Sequence, residues 1–184
     1  MTTDRTRRAF DLREAIGLLA RTPATFDAML RGLPEAWMRA HEGGETWSPF
    51  DIVGHMVHAE KTDWMPRARM ILEHGDSRPF EPFDRFAQFR ETDERTLESL
   101  LDEFAALRRD NIAALEGFAL TRADLEKPGR HPALGTVTLS NLLATWVAHD
   151  FDHVMQVSRV LARQYTDAVG PWSQYLRVIS GQPG

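Results

Sequence analysis

Trp146-Val147-Ala148-His149-Asp150-Phe151-Asp152-His153-Val154-Met155-Gln156-Val157 is the stretch on which the reading of this chain turns. Leu142, Leu143, Val147, Val154, Val157 and Leu161 recur around it at spacings of three and four, the pattern of a helix packed along one side. His149 and His153 stand four apart, so on a helix both imidazoles share a face and can converge on one point. Helices supply two nitrogen ligands to zinc and similar ions by this spacing. Asp152 and Gln156, each three residues after one of these histidines, can stand near the same pocket as supporting groups. A solvated face would also account for the pair. The flanking Trp146 and Phe151 argue against that, and two buried imidazoles need polar partners, of which a metal is one.

Upstream, Gly54-His55-Met56-Val57-His58 places two more imidazoles three apart on one helical face. Either one can be a hydrogen-bonded histidine at a helix interface. A third ligand for the downstream pair must come from upstream, and this helix is the best supplier. His41, His74 and His131 fall in loops or at a helix end and are expected at the surface. Other metal patterns fail. No glutamate follows Glu126, which excludes a downstream glutamate ligand of the thermolysin kind. No Glu-x-x-His occurs, which excludes a di-iron carboxylate bundle. Cysteine is absent, removing thiolate sites, thiol nucleophiles and disulfides together. Gly-rich phosphate loops and a Gly-x-Ser-x-Gly elbow are also missing.

Around these two segments the chain reads as helices joined by loops. A first helix starts near Phe10, and Thr22-Pro23 either kinks it or opens a new one before Gly32-Leu33-Pro34 ends the run. Residues 35–46 are irregular. Ser48-Pro49-Phe50-Asp51 is a capped helix start, and that helix is expected to reach about His74 with Pro66 bending it. A loop over residues 75–90 precedes a helix from about Thr92 to Leu115, stopped by Gly117. Residues 128–138 form a long turn or a short hairpin. A helix from near Ser140 to about Gln164 and a last short one from Trp172 to Ile179 complete the chain. The expectation is one all-α domain over residues 1–184, a four-helix bundle with a short extra C-terminal helix. The Trp172, Tyr175, Leu176, Val178 and Ile179 tail is expected to cover its own bundle.

The formal net charge of -5 and the lack of any lysine or arginine run exclude a backbone-binding stripe, so nucleic acid is not expected as a partner. No apolar run reaches the length of a membrane span and the N-terminus has no apolar leader, so a cytoplasmic protein is expected.

Two blocks resemble the DinB/YfiT-like superfamily. Thr46-Trp47-Ser48-Pro49-Phe50-Asp51-Ile52-Val53-Gly54-His55 is similar to the family's Trp-Ser segment with its ligand histidine eight residues after the tryptophan. The stretch Leu139 to Tyr165 is similar to the His-x3-His helix with its trailing glutamine, and Gly170-Pro171-Trp172 to the ending of one branch. The resemblance implies that His55, His149 and His153 hold one divalent metal ion, commonly zinc or nickel, in a four-helix bundle of the family's own connection order, often a homodimer. His58 matches no ligand position and is placed near the site without a bond to the metal. Assigned activities in the family include thiol-dependent S-transfer and maleylpyruvate isomerisation.

Three histidines leave a coordination position open, the layout of a catalytic site. The expected function is a metal-dependent enzyme acting on a small molecule, as a hydrolase or as an S-transferase with a low-molecular-weight thiol as co-substrate. The alternative is a non-catalytic metal-binding or interaction bundle. Asp152 is the expected supporting acid or base. Asp63 follows it, and Glu60 ranks last because a five-residue offset from His55 points away from the ligand face.

Overall fold

The computed structural model describes residues 9–91 and 94–180. The elements run α1 (Leu12–Leu19), α2 (Thr22–Leu30), α3 (Glu35–Met38), α4 (Pro49–Thr62), α5 (Trp64–His74), α6 (Gln88–Glu91), α7 (Leu97–Gly117), α8 (Arg122–Leu125), β1 (Pro128–His131), β2 (Gly135–Thr138), α9 (Leu139–Arg163), a 3-10 turn (Gly170–Tyr175) and α10 (Arg177–Ser180). Four rods make the bundle: α1 with α2, α4 with α5, α7, and α9. The second and third lie along each other, and α9 closes against α1 and α5. The fold is all-α in its body, with one small hairpin.

The two helices nearest the histidines are fixed at their starts by side chains. Ser48 Oγ accepts from Asp51 N at 3.3 Å while Asp51 Oδ2 accepts from Ser48 N at 2.9 Å, the reciprocal arrangement expected at this start. Thr138 and Asn141 do the same for α9 at 3.1 and 3.0 Å.

The long helix expected up to His74 is instead two, broken at Asp63. Pro66 is the cause. Its ring excludes the carbonyl of the residue four before it, here Thr62, and its nitrogen cannot donate. The break therefore falls three residues upstream of the proline. Thr22-Pro23 opens a new helix rather than kinking the first. Residues 35–46 contain one helical turn, and the expected start of α7 at Thr92 lies outside the described residues; α7 begins after a Thr96 cap.

Residues 128–138 form the antiparallel hairpin, pairing Gly129 with Val137 and Arg130 with Thr136. It presses on α5 so closely that a Cβ on Gly129 would lie 2.5 Å from Ile71 Cγ1. Phe80 N donates to Arg130 O at 2.9 Å and pins the preceding loop onto the hairpin. The core has two parts, one around Leu19, Trp64, Ile71 and Trp146, the other around Phe26, Ile52, Met56 and Phe104. The C-terminal tail lies against α9, but Trp172 and Tyr175 stay 70% and 71% exposed, so the expected self-covering is incomplete. Among the described residues no helix is long and apolar enough to cross a membrane.

Candidate metal centre

His55 reaches the site from the middle of α4, and His149 and His153 from successive turns of α9. Their ligand nitrogens lie within 4.8 Å of one another, and no other described His, Asp or Glu joins the cluster. His149 Nε2 is 3.1 Å from His55 Nε2 and 3.1 Å from His153 Nε2. His153 Nδ1 donates to Gln156 Oε1 at 2.9 Å, which leaves its Nε2 as a lone pair facing inward. A proton on His149 Nε2 can serve only one of its two neighbours in good geometry and leaves the other nitrogen without a donor, while an unprotonated Nε2 sets its lone pair against that of His153. One cation accepting three lone pairs resolves this, so the donor set fits a divalent ion.

The surroundings keep these rings neutral. Burial, with the neighbouring His153 and then His58 adding to it, lowers His55 to about 3. Burial, with His153 and His55, lowers His149 to about 2. His153 is also lowered by burial, against the opposing Gln156 hydrogen bond. The desolvating walls are aromatic. Trp47 stacks on His153 at 6.2 Å and lies 4.8 Å from His55, Phe83 stands edge-on to His55 at 5.4 Å, and Trp64 meets His149 at 5.0 Å. His55 Nδ1 and His149 Nδ1 are buried and make no hydrogen bond.

The cluster opens onto a cavity of about 1020 Å³ that contains His55, His149 and His153 in its wall. Asp152 is exposed and lies on the same wall, and Gln156 rather than Asp152 holds His153. His58 is buried outside the cluster, its ring 5.3 Å from Phe83. Asp63 pairs with Arg67 at 2.6 Å on the cavity wall, and burial holds its carboxyl above the usual range despite that partner. His41 and His74 are exposed as expected. His131, expected at the surface, is half-buried and lines the cavity. Phe151, expected to help bury the pair, is 52% exposed; the cover comes from the loop before α4, from α5 and from the loop before α6 instead.

Behind the cluster lies a network that sequence reasoning missed. Arg108 of α7 is 1% exposed and donates to Glu60 Oε1 at 2.8 and 3.1 Å, to both oxygens of Asp150 at 2.6 and 3.0 Å, and to Leu19 O at 2.8 Å. Glu60 also accepts from Trp146 Nε1 at 3.0 Å and Asn111 Nδ2 at 2.9 Å. Burial works against the Arg108 charge, but Glu60 and Asp150 outweigh it and raise its pKa. Glu60 does point away from the imidazoles, as its offset requires, and Arg108 meets it there. The signal was present: Arg108 and Asp150 each fall on a core stripe, four residues after Phe104 and Trp146.

Fold and site together define a helical bundle in which three imidazoles from two helices face an open cavity. The sequence profile of the DinB superfamily matches residues 18–157, and the chain belongs to that superfamily. The solved structure of YfiT from Bacillus subtilis, described as a probable metal-dependent hydrolase with an unusual four-helix bundle topology, covers 87% of this chain and 93% of its own at a TM-score of 0.73 and 19% identity. No curated protein matches the chain.

Proposed function

We propose that the protein is a metal-dependent enzyme acting on a small molecule, with His55, His149 and His153 holding one divalent transition metal ion, zinc or nickel. The observation that carries this reading is the meeting of three Nε2 atoms, 3.1 Å apart in two contacts, at the wall of a cavity of about 1020 Å³. Cavities of this order hold small-molecule ligands. A divalent ion with three imidazole ligands and an open position supplies Lewis acidity to a substrate or water.

The chain's own residues do the rest. Gln156 fixes the tautomer of His153, so its Nε2 is a ligand and never a donor. Trp47, Phe83 and Trp64 exclude water from the imidazole faces and keep the rings uncharged. Asp152 stands where a carboxylate at the rim can accept a proton from the reacting group or return it. The likeness to YfiT supports hydrolysis. S-transfer with a low-molecular-weight thiol is the second reading, because an ion held by three imidazoles accepts a thiolate as readily as water.

An open position separates these readings from a purely structural ion. In cobalt(II)-substituted protein, azide is expected to shift the visible absorption bands. A spectrum unchanged by azide contradicts an open position and leaves the metal as a tie between helices.

A further inference from the structure

The cavity wall carries three arginines, and two of them are already spoken for. Arg67 pairs with Asp63 at 2.6 Å, and Arg159 pairs with Glu42. Arg85, in the loop before α6, is different. It is exposed on the cavity wall and forms no ion pair with any described carboxylate. Its guanidinium instead lies over the rings of Trp47 and Phe86, at 5.7 and 5.5 Å. Trp47 is the indole that covers His55 and His153. One aromatic ring therefore separates an uncommitted cation from the imidazole cluster.

We infer that the cavity takes a small ligand with a carboxylate or similar anionic head, gripped by Arg85, whose other end reaches the three imidazoles. This rests on the metal reading of the site. The guanidinium is a planar fork that meets a carboxylate through two parallel N–H donors, and two aromatic faces restrict the positions it can take. The wall also offers Trp47, Phe83, Val137 and Leu142, which suits a short apolar body. Glu45 and Asp152 also line the cavity and oppose an anion. Arg159 is already paired with Glu42, so Glu45 and Asp152 both stand against Arg85 and the two charges of the ion.

The metal alone would favour any anion, so the test must isolate Arg85. Cobalt(II)-substituted protein is titrated with ω-mercaptohexanoate and with its uncharged primary amide, reading the cobalt–thiolate charge-transfer band. In the wild type the acid is expected to bind about ten-fold tighter than the amide, the equivalent of one charge-assisted contact. Arg85→Gln is expected to bring the two ligands within about two-fold while leaving the amide's affinity unchanged, and Arg85→Lys to restore part of the preference. Equal affinities in the wild type, or a preference that survives Arg85→Gln, would overturn the anionic head while the thiolate band left the metal site standing. Absence of the band with both ligands would overturn the metal reading and this inference with it.

Discussion

His153 is held by a neighbour as well as by packing: Gln156, one turn on, accepts a hydrogen bond from its Nδ1–H and turns Nε2 toward the cluster. Removing that acceptor frees the ring to rotate and to exchange tautomers, and losses of this kind weaken metal binding about 10–100-fold. Gln156→Leu is therefore expected to weaken zinc binding by that factor in competition with a chromophoric chelator, with little change in urea unfolding. A zinc affinity within about two-fold of wild type would sink the role given to Gln156. At this scale the sequence was informative, because a four-residue spacing on a helix dictates convergence whatever the tertiary structure. It did not separate Asp152 from Gln156 as the supporting group. Both sit at three-residue offsets on the same helix, and side-chain rotamers, which sequence does not give, decide which one meets a ring.

At the scale of elements, the two helices that carry the three histidines are tied together from behind. Glu60 on α4 and Asp150 on α9 both receive Arg108 from α7, with all three side chains at most 2% exposed. Breaking a buried pair strands its partner's charge, so Arg108→Ala is expected to cost about 3–5 kcal/mol in urea denaturation. A loss of under about 1 kcal/mol would mean that water reaches the carboxylates. Gly129→Ala tests a different constraint. Its Cβ would meet Ile71 and Phe80, at 2.5 to 3.0 Å, where the hairpin rests on α5. The expected cost is about 1–3 kcal/mol by the same measurement, from crowding alone. The helices and the cap at Ser48 were legible because they are set by local chemistry. The break at Asp63 was read only as a bend at Pro66, because a proline acts on the carbonyl of the turn before it. The hairpin stayed ambiguous because four-residue strands carry too few alternations to read.

Across the whole molecule, the bundle and its family were readable from two blocks of sequence, but the cavity was not. Arg85 and Phe83 come to it from the loop before α6 and His131 from the end of β1, and the hydrogen bond from Phe80 to Arg130 pins that loop to the hairpin. The tail is the other whole-molecule question. Trp172 and Tyr175 are 70% and 71% exposed, so in a monomer Trp172→Ser with Tyr175→Ser should shift stability by no more than about 0.5 kcal/mol. A larger loss that varies with protein concentration would show a second copy covering them. The central claim, that three histidines from two helices hold one ion, is tested most directly by elemental analysis of protein purified without a histidine tag. Wild type and His58→Ala are expected to carry about one equivalent of a transition metal, and His149→Ala to carry none. A wild type that neither retains metal nor rebinds added zinc or nickel would contradict the account, and loss of metal in His58→Ala would show that the ligand set is wrong.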